Sequence, residues 1–193
     1  MPSFFVAPEQ VQGYKAVISA GEAHHIKNVL RLGLGTEITL LDGKGNFLDA
    51  SIENISGAEV HCKVLACRQA RGEPPLQVTL IQGLAKGDRM DTVVQKSTEL
   101  GVAEIWPVFC KRSIQKLEGA KKDSRVQRWQ RIAVSAAKQC RRSRIPEIAP
   151  MQDLLPAIEQ IPSDALILIL WEEETSYSLK KALDSRPHPK RFI

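Results

Sequence analysis

The spacing of apolar residues changes near residue 72. Before that point, residues 16–19, 37–41, 47–52 and 59–65 form short runs that are rich in β-branched side chains or alternate apolar with polar positions. Both patterns suit half-buried strands, whose side chains point to opposite faces in turn. Asp42-Gly43-Lys44-Gly45-Asn46 reads as a turn between two of them, because glycine adopts positive φ without a Cβ penalty. Residues 21–31 break the strand pattern. Ala23, Ile26, Val29 and Leu30 recur at helical spacing there, with Glu22 near the positive end of the helix dipole and Arg31 near the negative end. A barrel-like strand set with one helix is the expectation, ending at Arg71-Gly72-Glu73-Pro74-Pro75, where two prolines remove donors and fix φ. The predicted division is therefore 1–72 and 73–193.

In the second part strands alternate with helices. Residues 76–84 are an apolar run of strand length, followed by Lys86-Gly87-Asp88 and a helix with Met90, Val93, Val94 and Leu100 on one face. Asp88 suits its N-cap and Gly101 the position past its end. Strands are expected at 105–109, 165–171 and from 190 to 193, and helices at 123–142, 153–160 and 176–184. Such alternation implies an α/β domain with a parallel sheet covered on both faces. After a loop at 187–190, Arg191-Phe192-Ile193 has the composition of a strand opening with no turn after it. The expectation is that a final segment is missing, since buried parallel strands usually lead into a functional loop.

Composition narrows the class. With 43% hydrophobic and 25% charged residues among 193, the chain has a normal globular balance. Its longest apolar run, 165–171, falls far short of the roughly 20 residues that span a bilayer, and residues 1–7 lack the charged-then-apolar start of a secretory signal. A cytoplasmic protein without membrane contact is expected. Cys62, Cys67, Cys110 and Cys140 form no CxxC pair, so buried reduced thiols are expected, with neither a metal site nor a disulfide framework. Charge is concentrated. Residues 111–147 hold twelve basic and three acidic side chains, whereas the rest of the chain is net acidic although the whole carries +5. That asymmetry suggests a localised polyanion site.

On a helical wheel, the predicted helix from Asp123 gathers Val126, Trp129, Ile132, Ala133, Ala136, Ala137 and Cys140 on one side. Arg128, Arg131, Lys138, Arg141 and Arg142 lie on the other. Lys111, Arg112, Lys116, Lys121 and Lys122 precede the helix and Arg144 follows it. A solvated helix face would present such charges too, but arginine predominates, and guanidinium groups fork onto phosphates and stack on bases. RNA or DNA contact is the expected use. His25 and Arg31 could touch a nucleic-acid backbone from the early helix, or could be surface residues of an amphipathic helix. Lys86, at a strand-to-helix loop, is a candidate phosphate contact or a plain turn residue. Glu172, Glu173 and Glu174 follow the apolar strand at the end where α/β folds place ligands, although acidic residues also suit a helix start. No nucleophile-base triad can be argued.

Lys96-Ser97-Thr98-Glu99-Leu100-Gly101-Val102, His25 with Val29-Leu30-Arg31, Arg112, Arg128-Trp129 with Ile132 and Ala133, and Gln139-Cys140 with Arg142, Arg144 and Pro146 together form a collective pattern. It resembles that of the bacterial small-subunit ribosomal RNA methyltransferases that modify uridine at N3, in order and over essentially the whole chain. The resemblance implies an N-terminal PUA-like RNA-binding β-barrel and a C-terminal SPOUT-type parallel α/β domain with a trefoil knot. It further implies a homodimer that uses S-adenosylmethionine and acts on small-subunit ribosomal RNA or the assembled 30S particle. The family's Gly-Pro-Glu-Gly-Gly loop and its later Leu-Gly and Leu-Arg segment are absent from this sequence, so the knot segment is expected to be missing and the cofactor pocket incomplete. By resemblance, Leu170, Trp171 and Glu172 would belong to that pocket. Arg112 and Arg142 would stabilise or position the substrate, and Gln139 would hydrogen-bond the base. His25, Arg31, Lys86, Arg128, Arg131, Arg141 and Arg144 would hold RNA. A non-catalytic RNA-binding module and an inactive truncated form of the enzyme are the competing readings.

Overall fold

A computed structural model of the chain describes residues 1–69, 72–111, 119–184 and 191–193. Arg71, Arg112, Lys116 and the expected loop at 187–190 lie outside the described residues. The chain divides into two compact units, one formed by Met1–Glu73 with Ala137–Ile145 and the other by Pro74–Ala136 with Pro146–Ile193.

The first unit is built on a curled, mixed sheet of β1 (Ser3–Phe5), β2 (Val11–Gln12), β3 (Lys15–Ile18), β4 (Glu37–Leu41), β5 (Asn46–Ser56) and β6 (Glu59–Gln69), in the order β1-β4-β5-β6-β3-β2. Only the β1–β4 pair is parallel. Period-two alternation sends Ile38 and Leu40, Leu48, Ala50 and Ile52, and Val60, Cys62 and Val64 inward, where they meet Phe4, Val6, Ala16 and Ile18. The register shifts between Asp49 and Ala50 and between Ile52 and Asn54, irregularities of the kind that bend a sheet. Ala23 and Ile26 cap this core from α1 (Ala20–His24) and the π-helical turn His25–Val29 that extends it. The expected helix thus changes type midway, closing with Leu30 N–H on the His25 carbonyl at 2.9 Å. β1 and β2 have no counterpart among the expected strands; at three and two residues they are too short to show alternation.

The second unit has a parallel sheet of β7 (Gln77–Gly83), β8 (Glu104–Phe109), β9 (Glu147–Ile148), β10 (Gln152–Asp153) and β11 (Arg191–Phe192). Its order is β10-β8-β7-β11, with β9 also on β8. Crossovers are made by α2 (Arg89–Glu99) and α3 (Ala120–Gln139), and α4 (Leu154–Glu159) and α5 (Leu179–Asp184) follow. The last three residues of α3 belong to the first unit. Met90, Val94 and Thr98 form the buried stripe of α2, four residues apart. Asp88 stands at its N-cap but makes no side-chain cap bond. Gln130 of α3 acts as a surrogate strand: its amide donates to the Pro146 carbonyl at 3.1 Å and accepts from Ile148 N–H at 3.1 Å, which fixes the start of β9.

The structure departs from the sequence pattern at several points. Leu100 is 85% exposed and not on the core face, because the chain reverses immediately after α2. Helix α3 ends at Gln139, three residues before the expected stop. The 165–171 run is not a strand throughout: Leu166 and Leu168 hydrogen-bond residues 191–193, but Ile169, Leu170 and Trp171 lie beyond that pairing and are exposed. Full cover of the sheet is not observed among the described residues, since Leu76 and Val78 stay exposed and the rest of β7 is at best half-buried. None of the four cysteines is in a disulfide, but only Cys62 is buried. Cys67 is an outward position of β6, and Cys140 lies past the end of α3. Burial, and then the nearby Glu53 charge, push the Cys62 thiol up to about 11, so it stays protonated.

The end of α2 rests on one glycine. Gly101 N–H donates to the Thr98 carbonyl and Val102 N–H to the Ser97 carbonyl, the paired bonds of a Schellman terminus, with Gly101 at φ +101°. A Cβ there would also lie 2.5 Å from Pro74 Cγ. Gly101→Ala is therefore expected to destabilise the protein by about 1–3 kcal/mol, read as a lower denaturant midpoint in chemical unfolding. An unchanged midpoint would show that this turn carries no strain.

Candidate functional site

In the first unit the segment after α3 is organised by a carboxylate. The helix ends in a second Schellman pair, Arg141 N–H to the Lys138 carbonyl at 3.2 Å and Arg142 N–H to the Ala137 carbonyl at 2.9 Å. The usual glycine of that turn is replaced by Arg141 at φ 59°. Arg31, which follows the π turn, is the other non-glycine residue at positive φ among the described residues, at 51°. Left-handed backbone costs a non-glycine residue on the order of 1–2 kcal/mol, so two exposed arginines are held at strained positions where glycine would be cheaper. The turn delivers Arg142 to Glu73. Arg142 Nε and Nη2 donate to Glu73 Oε2 at 3.2 and 2.9 Å. Ser143 N–H, Ser143 Oγ–H and Arg144 N–H donate to Oε1 at 2.9, 3.2 and 3.0 Å. The two charged side chains are only 10% and 12% exposed, so Arg142 is engaged inside the protein while Gln139, Arg141 and Arg144 remain exposed. His25 is exposed too, with Phe4 edge-on to its ring at 6.2 Å. Lys138 is paired with Glu22 and lies over the Phe5 ring; burial holds its ammonium below the usual lysine range.

In the second unit a different acid holds Arg128. Asp91 accepts from Arg128 Nη2 through one oxygen and from the buried Trp129 Nε1 through the other, at 3.1 Å, and Asp88 stands 3.8 Å from the same guanidinium. Arg131 is exposed with Nε on the Gln127 carbonyl at 3.3 Å. Lys86 is exposed in the turn before α2. Leu170, Trp171 and Glu172 line one open cleft of about 840 Å³, with Leu166, Leu168 and Tyr177 among its other walls. Glu174 also borders it, but its carboxylate is used locally. It accepts from Ser176 Oγ–H and the Ser176 and Tyr177 amides at 2.7, 2.6 and 2.8 Å, which hold its carboxyl below the ordinary range. Among the described residues no group of three or more His, Cys, Asp or Glu could hold a metal, and no helix is long and apolar enough to cross a membrane.

Sequence reasoning did not single out Glu73 or Asp91. Both are acids distant in sequence from the cationic segment, and only folding brings each to its arginine. Burial alone would raise the Glu73 carboxyl. The Arg142 bonds and charge, the Arg144 amide and Ser143 outweigh it and hold the group below its ordinary value. A carboxyl depressed in the folded state stabilises the fold above its unfolded pKa, near 4.5, and that contribution is lost as pH falls through the lower folded value. Glu73→Gln is expected to cost about 1.5–3 kcal/mol at pH 7 and to flatten the acid limb of stability below about pH 4.5. Urea titrations at pH 7 and pH 3 check this; an equal cost at both would refute the charge argument.

Two family models match the chain. A family described as RNA methyltransferase domain matches residues 72–191, and one described as RNA methyltransferase PUA domain matches residues 18–65. Ribosomal RNA small subunit methyltransferase E of Bacillus subtilis is 29% identical over 158 residues, 82% of this chain and 62% of that protein. The protein of the same name from Synechocystis is 28% identical over 86% of this chain and 52% of its own length. The chain thus spans little more than half the length of these relatives. Among solved structures, ribosomal RNA small subunit methyltransferase E from Neisseria gonorrhoeae bound to S-adenosyl methionine aligns with a TM-score of 0.82 and 33% identity, over 100% of this chain and 78% of that one. A methyltransferase of Legionella pneumophila in complex with SAM aligns at 0.76 and 29%, over 98% and 76%. By its RNA methyltransferase match, its accompanying PUA match and this likeness in fold and sequence, the chain belongs to the ribosomal RNA small subunit methyltransferase E family.

Proposed function

We propose that this chain supplies the RNA-binding part and much of the catalytic domain of an S-adenosylmethionine-dependent methyltransferase that modifies N3 of a uridine in small-subunit ribosomal RNA. The match of residues 72–191 to the RNA methyltransferase family carries this reading. Residues 1–72 serve as the PUA-like RNA-binding barrel and residues 73–193 as the methyltransferase domain of SPOUT type. The enzyme works in the cytoplasm as a homodimer, with the assembled 30S particle as its RNA partner.

The cleft offers the part of a methyl-donor pocket that this chain carries. Its volume, about 840 Å³, lies in the range of small-molecule sites. Its walls offer apolar surface from Leu170 and Trp171 for a base or thioether and the Glu172 carboxylate for hydroxyls or an amine. S-adenosylmethionine supplies an electrophilic methyl group on its sulfonium. The protein must hold the uridine and favour loss of its N3 proton, since N3 is an imide nitrogen whose lone pair attacks only as that proton leaves. Cations aimed at the uracil ring lower the cost of the developing anion. Arg112 takes that role, while Arg142, engaged by Glu73, positions the segment that bears Gln139, Arg141 and Arg144. Gln139 hydrogen-bonds the base. His25, Arg31, Lys86, Arg128, Arg131, Arg141 and Arg144 hold the RNA backbone.

Isothermal titration calorimetry of the chain with S-adenosylmethionine tests the cofactor half of this proposal. Binding is expected, and Trp171→Ala should weaken it at least tenfold, roughly 1.4 kcal/mol. Heat-silent titrations together with tight ribosomal RNA binding would instead favour a non-catalytic RNA-binding module.

A further inference from the structure

The turn between β4 and β5 and the segment after α3, both in the first unit, are built against each other. Gly45 N–H donates to the Ser143 carbonyl and Ile145 N–H to the Gly43 carbonyl, each at 3.2 Å, and Lys44 and Arg144 form an isolated antiparallel bridge. Both loops are stiff. Asp42 Oδ1 accepts from Lys44 and Asn46 N–H at 2.8 and 3.0 Å and its Oδ2 from Asn46 Nδ2 at 2.6 Å, while Glu73 fixes the other loop with five bonds. Gly43 and Gly45 have φ of +72° and +110°. A Cβ on Gly45 would stand 3.0 Å from Arg144 Nε, so glycine is what lets the guanidinium lie across the turn.

This bridge places two cations directly opposite one another. Residues paired across an antiparallel bridge put their side chains on one face, with Cβ atoms about 4.5–5.5 Å apart, and like charges there repel. Lys44 and Arg144 are both exposed, and among the described residues neither has a carboxylate in ion-pairing range. The neighbouring acids do not serve. Asp42 spends its oxygens on its own turn and Glu73 on Arg142 and the amides beside it. A pair of cations held together by two rigid loops, with exposed Arg141 three residues before Arg144, is a receptor for an anion that arrives from outside.

We propose that Lys44 and Arg144 form a built phosphodiester-binding site, a point at which the RNA backbone is clamped on the first unit. Lys44 supplies a point charge and Arg144 a pre-positioned fork, the two complementary ways of holding a phosphate. The inference rests on the RNA-directed reading above and adds to it a residue, Lys44, from outside the cationic segment.

The test is fluorescence anisotropy of the 193-residue chain with a labelled fragment of small-subunit ribosomal RNA across a salt series, for wild type, Lys44→Ala, Arg144→Ala and Arg144→Lys. Each alanine variant is expected to weaken binding and to lower the slope of log K against log salt by about 1, while Arg144→Lys keeps the slope and loses part of the affinity. Without RNA, the thermal midpoint of Lys44→Ala should match or exceed that of wild type, because a repulsion has been removed. Unchanged slopes in both alanine variants, or a lower midpoint for Lys44→Ala, would overturn the site. Displacement of the RNA by millimolar inorganic phosphate from wild type but equally from both alanine variants would do the same, since the phosphate sensitivity would then lie elsewhere. Failure of wild type to bind the RNA at all would instead strike at the RNA-directed reading itself.

Discussion

The Glu73 carboxylate is the constraint on which the cationic part of the first unit depends. It is nearly buried and accepts from the Arg142 guanidinium, the Ser143 hydroxyl and amide, and the Arg144 amide. A buried charge is tolerable only when such donors replace its lost hydration. Because those donors come from residues 142–144, ionising and burying Glu73 obliges the chain after α3 to return to the first unit. The return gives that unit its Ala137–Ile145 segment and sets Arg144 against Lys44. Arg142 and Glu73 thus neutralise each other, while among the described residues the neighbouring Arg141 and Arg144 have no carboxylate in ion-pairing range.

The same division of labour recurs in the second unit. Arg128 is tied by Asp91, and Asp91 also receives the buried Trp129 indole, so one carboxylate anchors both charge and packing between α2 and α3. Arg131, one helical turn along, has no such carboxylate anchor among the described residues and bonds the Gln127 carbonyl of its own helix. Arginines near one another in sequence therefore differ in how they are held: Arg142 is nearly buried on its acid, Arg128 is tied by Asp91 yet stays exposed, and Arg131 faces solvent. Left-handed backbone at Arg31 and Arg141 keeps two further arginines exposed at a local cost in strain.

Much of the fold was legible because its signals are local. Alternation along 37–41 and 59–65 and the Gly101 terminus of α2 each express a rule that spans a few residues. Legibility failed where the deciding partner was distant. The end of α3 at Gln139 uses Arg141 in place of glycine, so the sequence offered no stop signal, and the apolar pattern ran on to Cys140. The run at 165–171 has a strand's composition, but strand pairing needs a neighbour, and pairing stops at Leu168. In the candidate site, the cationic residues were visible as a charge cluster. Their acidic counterparts were not, because Glu73 and Arg142 are separated by 69 positions. Lys44 stayed hidden for the same reason, as a lone lysine in a glycine turn.

The proposed function of the exposed arginines and of the cleft at Trp171 comes down to one chemical outcome, a methyl group on N3 of a small-subunit uridine. Mass spectrometry of nucleosides from small-subunit ribosomal RNA measures it most directly, comparing cells that carry the gene for this protein with cells from which it has been deleted. The expected result is N3-methyluridine in the first and its loss from a single position in the second. Identical N3-methyluridine content in both would contradict the assignment.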